Sequence, residues 1–161
     1  MTGIKDFTDF EAFRQSREFI KQTGRAIRTY RLNRDLDLVR QMRKASISVL
    51  SNFAEGFDRE GNNEFVQLLA YSKGSISELR GQLIYAVDQE LLPNETQMEL
   101  DQLARSASRL VGGLMTYLAS CDHRGRKYLN LQESKPSGRR AKRSEHRRRL
   151  SSNRKPKTGN R

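Results

Sequence analysis

Residues 35–57 read DLDLVRQMRKASISVLSNFAEGF. Within them Val39, Met42, Ser46, Val49, Leu50, Phe53 and Phe57 recur at steps of three and four, the spacing of one face of an α-helix. Lys44, Ser48, Ser51, Asn52 and Glu55 fall on the side away from that stripe. The stretch therefore predicts an amphipathic helix of about six turns. A helix with a single apolar stripe needs other elements to bury it against, so the neighbouring segments decide the fold.

Upstream, a polar turn at Arg31–Asn33 separates this helix from a segment that begins at Thr8 or Asp9, either a good N-cap, with Glu11 in the first turn, and runs to about Tyr30. On its wheel Phe13, Phe19, Ile20, Ile27 and Tyr30 share one broad side, and Arg14, Arg17, Lys21, Arg25 and Arg28 share the other. Downstream, Gly56, Gly61 and Asn62-Asn63 break the helix. A third helix then opens on Asn62 or Asn63 and carries Phe65, Leu68, Leu69, Ser72, Ile76, Leu79, Leu83 and Val87 to about Leu92. After a turn at Pro93-Asn94, a fourth carries Met98, Leu103, Ala107, Leu110, Leu114 and Leu118 and fades near Cys121. No segment alternates with period two. Four such helices joined by short turns bury their stripes together as an all-α, antiparallel up-down-up-down four-helix bundle. Folding the second and third helices about their loop sets Ser46 opposite Gly74 and Val39 opposite Gly81.

Charge divides the 161 residues in two. Residues 124–161 hold 15 of the 31 Lys and Arg against Glu133 and Glu145, a formal +13, whereas residues 1–123 come to −1. From Lys135 onward Leu150 is the only large apolar residue, too little to offset the entropy of ordering. The sequence thus predicts a bundle over 1–123 and a disordered basic tail over 124–161. The tail's clusters, Arg139, Arg140, Lys142, Arg143 and then Arg147, Arg148, Arg149, suit a polyanion. Since no aromatic follows Tyr128, binding there is expected to be electrostatic, with little base stacking.

Little in the chain suggests catalysis. A di-iron bundle site needs Glu-x-x-His motifs on facing helices, but His123 and His146 both lie past the fourth helix. Walker, zincin and nucleophile-elbow motifs are missing, and the carboxylates Glu55, Asp58, Glu60 and Glu64 read as a solvated corner. The expectation is a protein that is not an enzyme and needs no cofactor or metal. One cysteine, no signal-peptide pattern and no long apolar run point to a soluble cytoplasmic protein. The polar side of the second and third helices is more informative, because Gly74 and Gly81 lie there beside Glu78 and Tyr85. A glycine inside a helix costs about 1 kcal/mol relative to alanine, so outward glycines suggest that another backbone approaches closely. Lys44, Ser48, Asn52, Glu55, Gly74, Glu78 and Gly81 are accordingly the candidate subunit interface, with Lys44, Asn52, Glu55 and Glu78 expected to pair once buried.

The run from Gln41 to Phe57, above all its ending Asn52-Phe53-Ala54-Glu55-Gly56, resembles the signature helix of the four-helix bundle family first named for proteins encoded in 23S ribosomal RNA intervening sequences. Glu64-Phe65, Leu68 to Ser75 and Glu78-Leu79 are similar to that family's third helix, and Asp9 to Phe13 to its opening. The likeness covers residues 7 to about 120 and leaves out the basic extension; Lys44 stands where the family often has Arg. The resemblance implies a bacterial, all-helical protein similar in fold to the accessory variability determinant of diversity-generating retroelements, which forms a pentamer, binds nucleic acid and associates with a reverse transcriptase. The expected function is thus a non-enzymatic homo-oligomer that binds RNA or DNA, with no membrane partner. The competing expectation is a protein-interaction scaffold. In that reading the acidic residues 53–123, with 5 basic against 11 acidic side chains, meet a neighbour's basic residues 1–52, with 11 against 6.

Overall fold

A computed structural model describes residues 4–121; the candidate sites in the basic tail lie outside the described residues. All the regular structure there is helical: α1 (Glu11–Thr29), α2 (Leu36–Asp58), α3 (Asn62–Asp88) and α4 (Asn94–Ser120), with short 3-10 turns at Phe7–Asp9 and Arg31–Arg34. α1 packs on α2 and α4, and α3 packs on α2 and α4, so α1 and α3 stand on a diagonal. Successive helices run antiparallel. Phe13 meets Phe53 across α1 and α2 with ring centroids 5.3 Å apart, and the Ser72 Oγ donates to the Val49 carbonyl at 2.9 Å across α2 and α3. Arg80 meets Asp101 across α3 and α4, and Thr96 donates to the Tyr30 hydroxyl at 2.9 Å to close α4 on α1. This is the expected up-down-up-down bundle.

The stripes form the core: Phe19, Met42, Val49, Phe53, Leu69, Ile76, Leu79 and Leu83 are fully buried, and so is Val111, which the stripe read for the fourth helix did not include. Six of the seven phenylalanines, Phe7, Phe10, Phe13, Phe53, Phe57 and Phe65, gather at one end, mostly edge to face with centroids 4.9–6.4 Å apart. Such edge-to-face pairs add about 0.5–1.5 kcal/mol each beyond simple burial. Buried hydroxyls find local acceptors: Ser16 donates to the Ala12 carbonyl at 2.7 Å and Thr23 to the Phe19 carbonyl at 2.9 Å.

Several local expectations are corrected. Thr8 and Asp9 do not cap α1, whose N-cap is Phe10; instead Asp6 caps the 3-10 turn in a box with Asp9, whose carboxyl the backbone N–H groups of Lys5 and Asp6 hold below the usual carboxylate range. Gly61, not an asparagine, occupies the N-cap of α3, and the Asn62 amide reaches the Leu118 carbonyl at 3.4 Å. Asp35 does cap α2, accepting from the Leu38 N–H at 2.9 Å. α3 stops at Asp88 rather than near Leu92. Met98 is 55% exposed and Leu100 is buried in its place, since the five-residue step from Met98 to Leu103 swings Met98 off the stripe. Ser46 does not face Gly74: Ser75 donates to the Ser48 hydroxyl at 2.8 Å, Ser46 bonds the Met42 carbonyl of its own helix, and Gly74 and Gly81 both point to open space.

The glycine that lets α2 and α3 approach is Gly56. A Cβ there would stand 2.6 Å from Phe65 Cδ2 and 3.1 Å from Leu68 Cβ, so the last turn of α2 seats against α3 only because that position has no side chain.

Candidate nucleic-acid interface

α1 presents Arg14, Arg17, Lys21, Arg25 and Arg28 to solvent, all five exposed. Their steps of three and four keep them in line for about 21 Å of helix. Along one flank the stripe is braced. Arg14 donates to Glu11 at 3.1 Å, the Lys21 ammonium lies 3.6 Å from Glu18, and Arg25 donates to Gln22 at 3.3 Å. The Gln22 amide, with Lys21 behind it, holds the Glu18 carboxyl below the usual range, so Glu18 stays ionised beside its lysine. Exposed pairs of this kind add little to stability; their effect here is to orient long side chains. On the other flank, among the described residues, neither Arg17 nor Arg28 has an acidic partner. The aromatic side chains of α1, Phe13 and Phe19, are buried, so the stripe offers charge without a stacking platform.

The second surface lies across the bundle on the outer side of α2 and α3. Lys44, Glu55, Gly74, Glu78 and Gly81 are exposed there, while Ser48 and Asn52 are half-buried between the helices. Lys44, Asn52, Glu55 and Glu78, expected to pair between subunits, do not pair with one another within a single chain. Asn52 donates to the Ser48 carbonyl at 2.8 Å, Glu55 accepts from Arg59 at 3.1 Å, and Glu78 accepts from Gln82 at 3.1 Å. Nothing stands within 4 Å of a Cβ built on Gly74 or Gly81. Around these bare glycines lie large apolar groups: Ile47 is 65% exposed, Tyr71 56% and Tyr85 46%. Ile47 and Tyr71 were missed by the stripe reading. Their signal was present, since both fall between the positions that line the core.

At the phenylalanine end, Ile4, Phe10, Gly56, Phe57, Phe65 and Leu118 line a pocket of about 180 Å³ whose polar rim is Glu60 and Asn62. Among the described residues no three His, Cys, Asp or Glu side chains converge as a metal set would, and no helix is long and apolar enough to cross a membrane.

A four-helix bundle bearing an outward basic stripe and, across from it, a glycine-interrupted polar face defines the class. Within that class the profile of the family described as 23S rRNA-intervening sequence protein matches residues 8–113, and the chain belongs to this family. No curated protein matches the chain.

Proposed function

We propose that the protein is a non-enzymatic, homo-oligomeric nucleic-acid-binding accessory protein. The observation that carries the reading is the α1 stripe, five exposed cations in line on a rigid helix. Such a row neutralises phosphates, releases their counterions and gives salt-dependent affinity, and without exposed aromatics it reads little sequence. The basic clusters from Arg139 to Arg149 extend the same charge. Self-assembly is supported by the bare Gly74 and Gly81 beside Ile47, Tyr71 and Tyr85, and by the opposite charges of Lys44 and Glu78. A contact between α2 of one subunit and α3 of the next joins two different patches. Such a heterologous contact gives a ring where its rotation closes, five-membered on the resemblance, rather than a two-fold dimer. Because α1 is diagonal to α3, the ring leaves the stripes free, and repeated weak contacts raise avidity. The partner is RNA, DNA or a ribonucleoprotein such as a reverse transcriptase complex.

The test is a titration of labelled RNA at two salt concentrations with three proteins: the full chain, a chain ending at residue 130, and the double variant Arg17→Glu, Arg28→Glu. With 6 to 10 phosphates neutralised, affinity falls on the order of 10³ to 10⁵ between 50 and 200 mM salt. Both altered proteins are expected to bind more weakly. Undiminished binding by both refutes the reading.

A further inference from the structure

Residues 53–123 are acidic overall, with only five basic side chains: Arg59, Lys73, Arg80, Arg105 and Arg109. Arg59 is taken up by Glu55. The other four lie along the outer face of α3 and α4, where Arg80 and Lys73 reach across to α4. Arg80, on α3, donates to Asp101 of α4 at 2.6 Å, and Arg105, one turn along α4, donates to the other oxygen of the same carboxylate. Asp101 is only 17% exposed, so it fixes both guanidinium groups from beneath. Burial works against its charge, yet the two arginines outweigh that and hold the Asp101 carboxyl below the usual range. Arg109 follows one turn on and is exposed. Lys73 crosses from α3 so that its Nζ would stand 3.3 Å from a Cβ built on Gly112. Among the described residues neither Lys73 nor Arg109 has an acidic partner. Four cations against one carboxylate leave a local formal charge of +3 in a half of the body that is otherwise negative.

The glycines of α4 beside these cations are as unusual as the charge. Gly112 and Gly113 are consecutive glycines inside α4, a placement costing about 1 kcal/mol each relative to alanine. Gly112 leaves room for the Lys73 side chain. Gly113 has nothing within 4 Å and adjoins Arg109 on the outer side, leaving bare helix backbone beside the cations.

We propose that the outer α3–α4 groove is a second phosphate track, in which Lys73, Arg105 and Arg109 hold the phosphodiester backbone of a nucleic acid against the bare turn at Gly113. It rests on the nucleic-acid reading above but uses none of the residues of the α1 stripe. A phosphodiester chain fits better than an acidic peptide, because the cations follow one another along about 10 Å of α4, from Arg105 through Arg109 to the Lys73 ammonium beside Gly112, with no hydrogen-bonding edge for a peptide backbone.

The experiment measures binding of a fluorescein-labelled RNA hairpin by the full chain over a range of salt, in three forms. These are the unaltered protein, the double variant Lys73→Gln, Arg109→Gln, and Gly113→Leu. The double variant is expected to lower the slope of log affinity against log salt by about two, one for each lost phosphate contact. Gly113→Leu keeps every charge and improves helix propensity, so circular dichroism should show an intact fold. It is expected to weaken binding about tenfold by blocking approach, a loss that charge alone does not explain. An unaltered slope in the double variant, or full affinity in Gly113→Leu, overturns the proposal. So does poly-glutamate that binds as tightly as the hairpin and loses affinity in the same variants. If the double variant binds as the unaltered protein does while the Arg17→Glu, Arg28→Glu protein does not, the track is refuted and the nucleic-acid reading stands. If the unaltered protein binds no RNA even at low salt, both fall.

Discussion

Replacing Gly56 by alanine tests the packing on which the bundle's phenylalanine end depends. The added Cβ would meet Phe65 Cδ2 at 2.6 Å and Leu68 Cβ at 3.1 Å, whereas carbon atoms pack at about 3.5–4.0 Å. Phe65 has to give way by roughly 1 Å, but its ring is held by Phe10, Phe53 and Phe57 with centroids 5.8, 5.5 and 6.3 Å away. Overpacking of this kind costs about 1–3 kcal/mol, and alanine returns about 1 kcal/mol through helix propensity. The net expectation is a loss of about 1 kcal/mol, or a fall in Tm of about 4 °C for a body of this size. Gly24→Ala is the internal control. Its Cβ would make an ordinary 3.6 Å contact with Arg28, so that variant should gain stability, by about 1 kcal/mol. Thermal and urea unfolding followed by circular dichroism give both numbers. A Gly56→Ala protein as stable as the parent, or more so, would refute the idea that α2 and α3 are in contact at that turn.

Further expectations concern charge and assembly. Since the folded-state pKa of Asp101 is lowered, its contribution to stability is present above the unfolded value and is lost as pH falls through the folded one. Asp101→Asn is therefore expected to cost about 1 kcal/mol at neutral pH, after allowance for solvent screening, and progressively less as pH falls through the lowered folded-state value; a cost that stays constant in urea titrations from neutral to strongly acidic pH would contradict this. Gly74→Leu is expected to raise monomer helicity and lower the assembly state seen by light scattering, and a species of unchanged mass would count against a close helix contact there. Glu55→Ala removes only an exposed pair with Arg59 from the monomer, so its thermal unfolding should barely move while its assembly weakens.

The four helices were legible because each carries a stripe whose period is the helix's own, and such a signal needs no knowledge of the partner. Caps and registers were less legible, since they depend on what arrives from elsewhere. Asn62 looks locally like an N-cap, yet its amide goes to Leu118, 56 residues away. Ser46 and Ser48 are equally plausible contacts by count along the chain. The hydroxyl of Ser75, fixed by the way the loop folds, selects Ser48. The α1 stripe was readable because its charges lie on one helix. The α3–α4 groove was not, because Lys73 and Arg80 are separated from Arg105 and Arg109 by a whole turn of the chain, and within residues 53–123 they are hidden in an acidic average.

The interior glycines show where backbone is left bare and for what. Each one weakens its helix, and what stands where its side chain would be shows whether the chain gains anything by keeping it; at Gly24 it gains nothing visible. Gly56 gains the seat of Phe65 and Leu68, a contact complete within the chain. Gly112 gains the passage of Lys73 across α4, which is also internal. Gly74, Gly81 and Gly113 have no such return inside the chain, for open space stands where their side chains would be. On the proposed readings their return comes from outside. Gly74 and Gly81 lie seven residues apart, two turns on one face, among exposed apolar side chains, which fits the proposed contact with a helix of another subunit. Gly113 instead adjoins Arg109 and, through Gly112, Lys73, and a surface of cations around bare backbone suits an anionic chain. On the proposed readings, the same residue type thus marks a subunit-facing side of the bundle and a phosphate-facing one. The two sides share α3, so if the proposed subunit contacts form along Gly74 and Gly81, they would set the α3–α4 grooves of neighbouring subunits at fixed spacing.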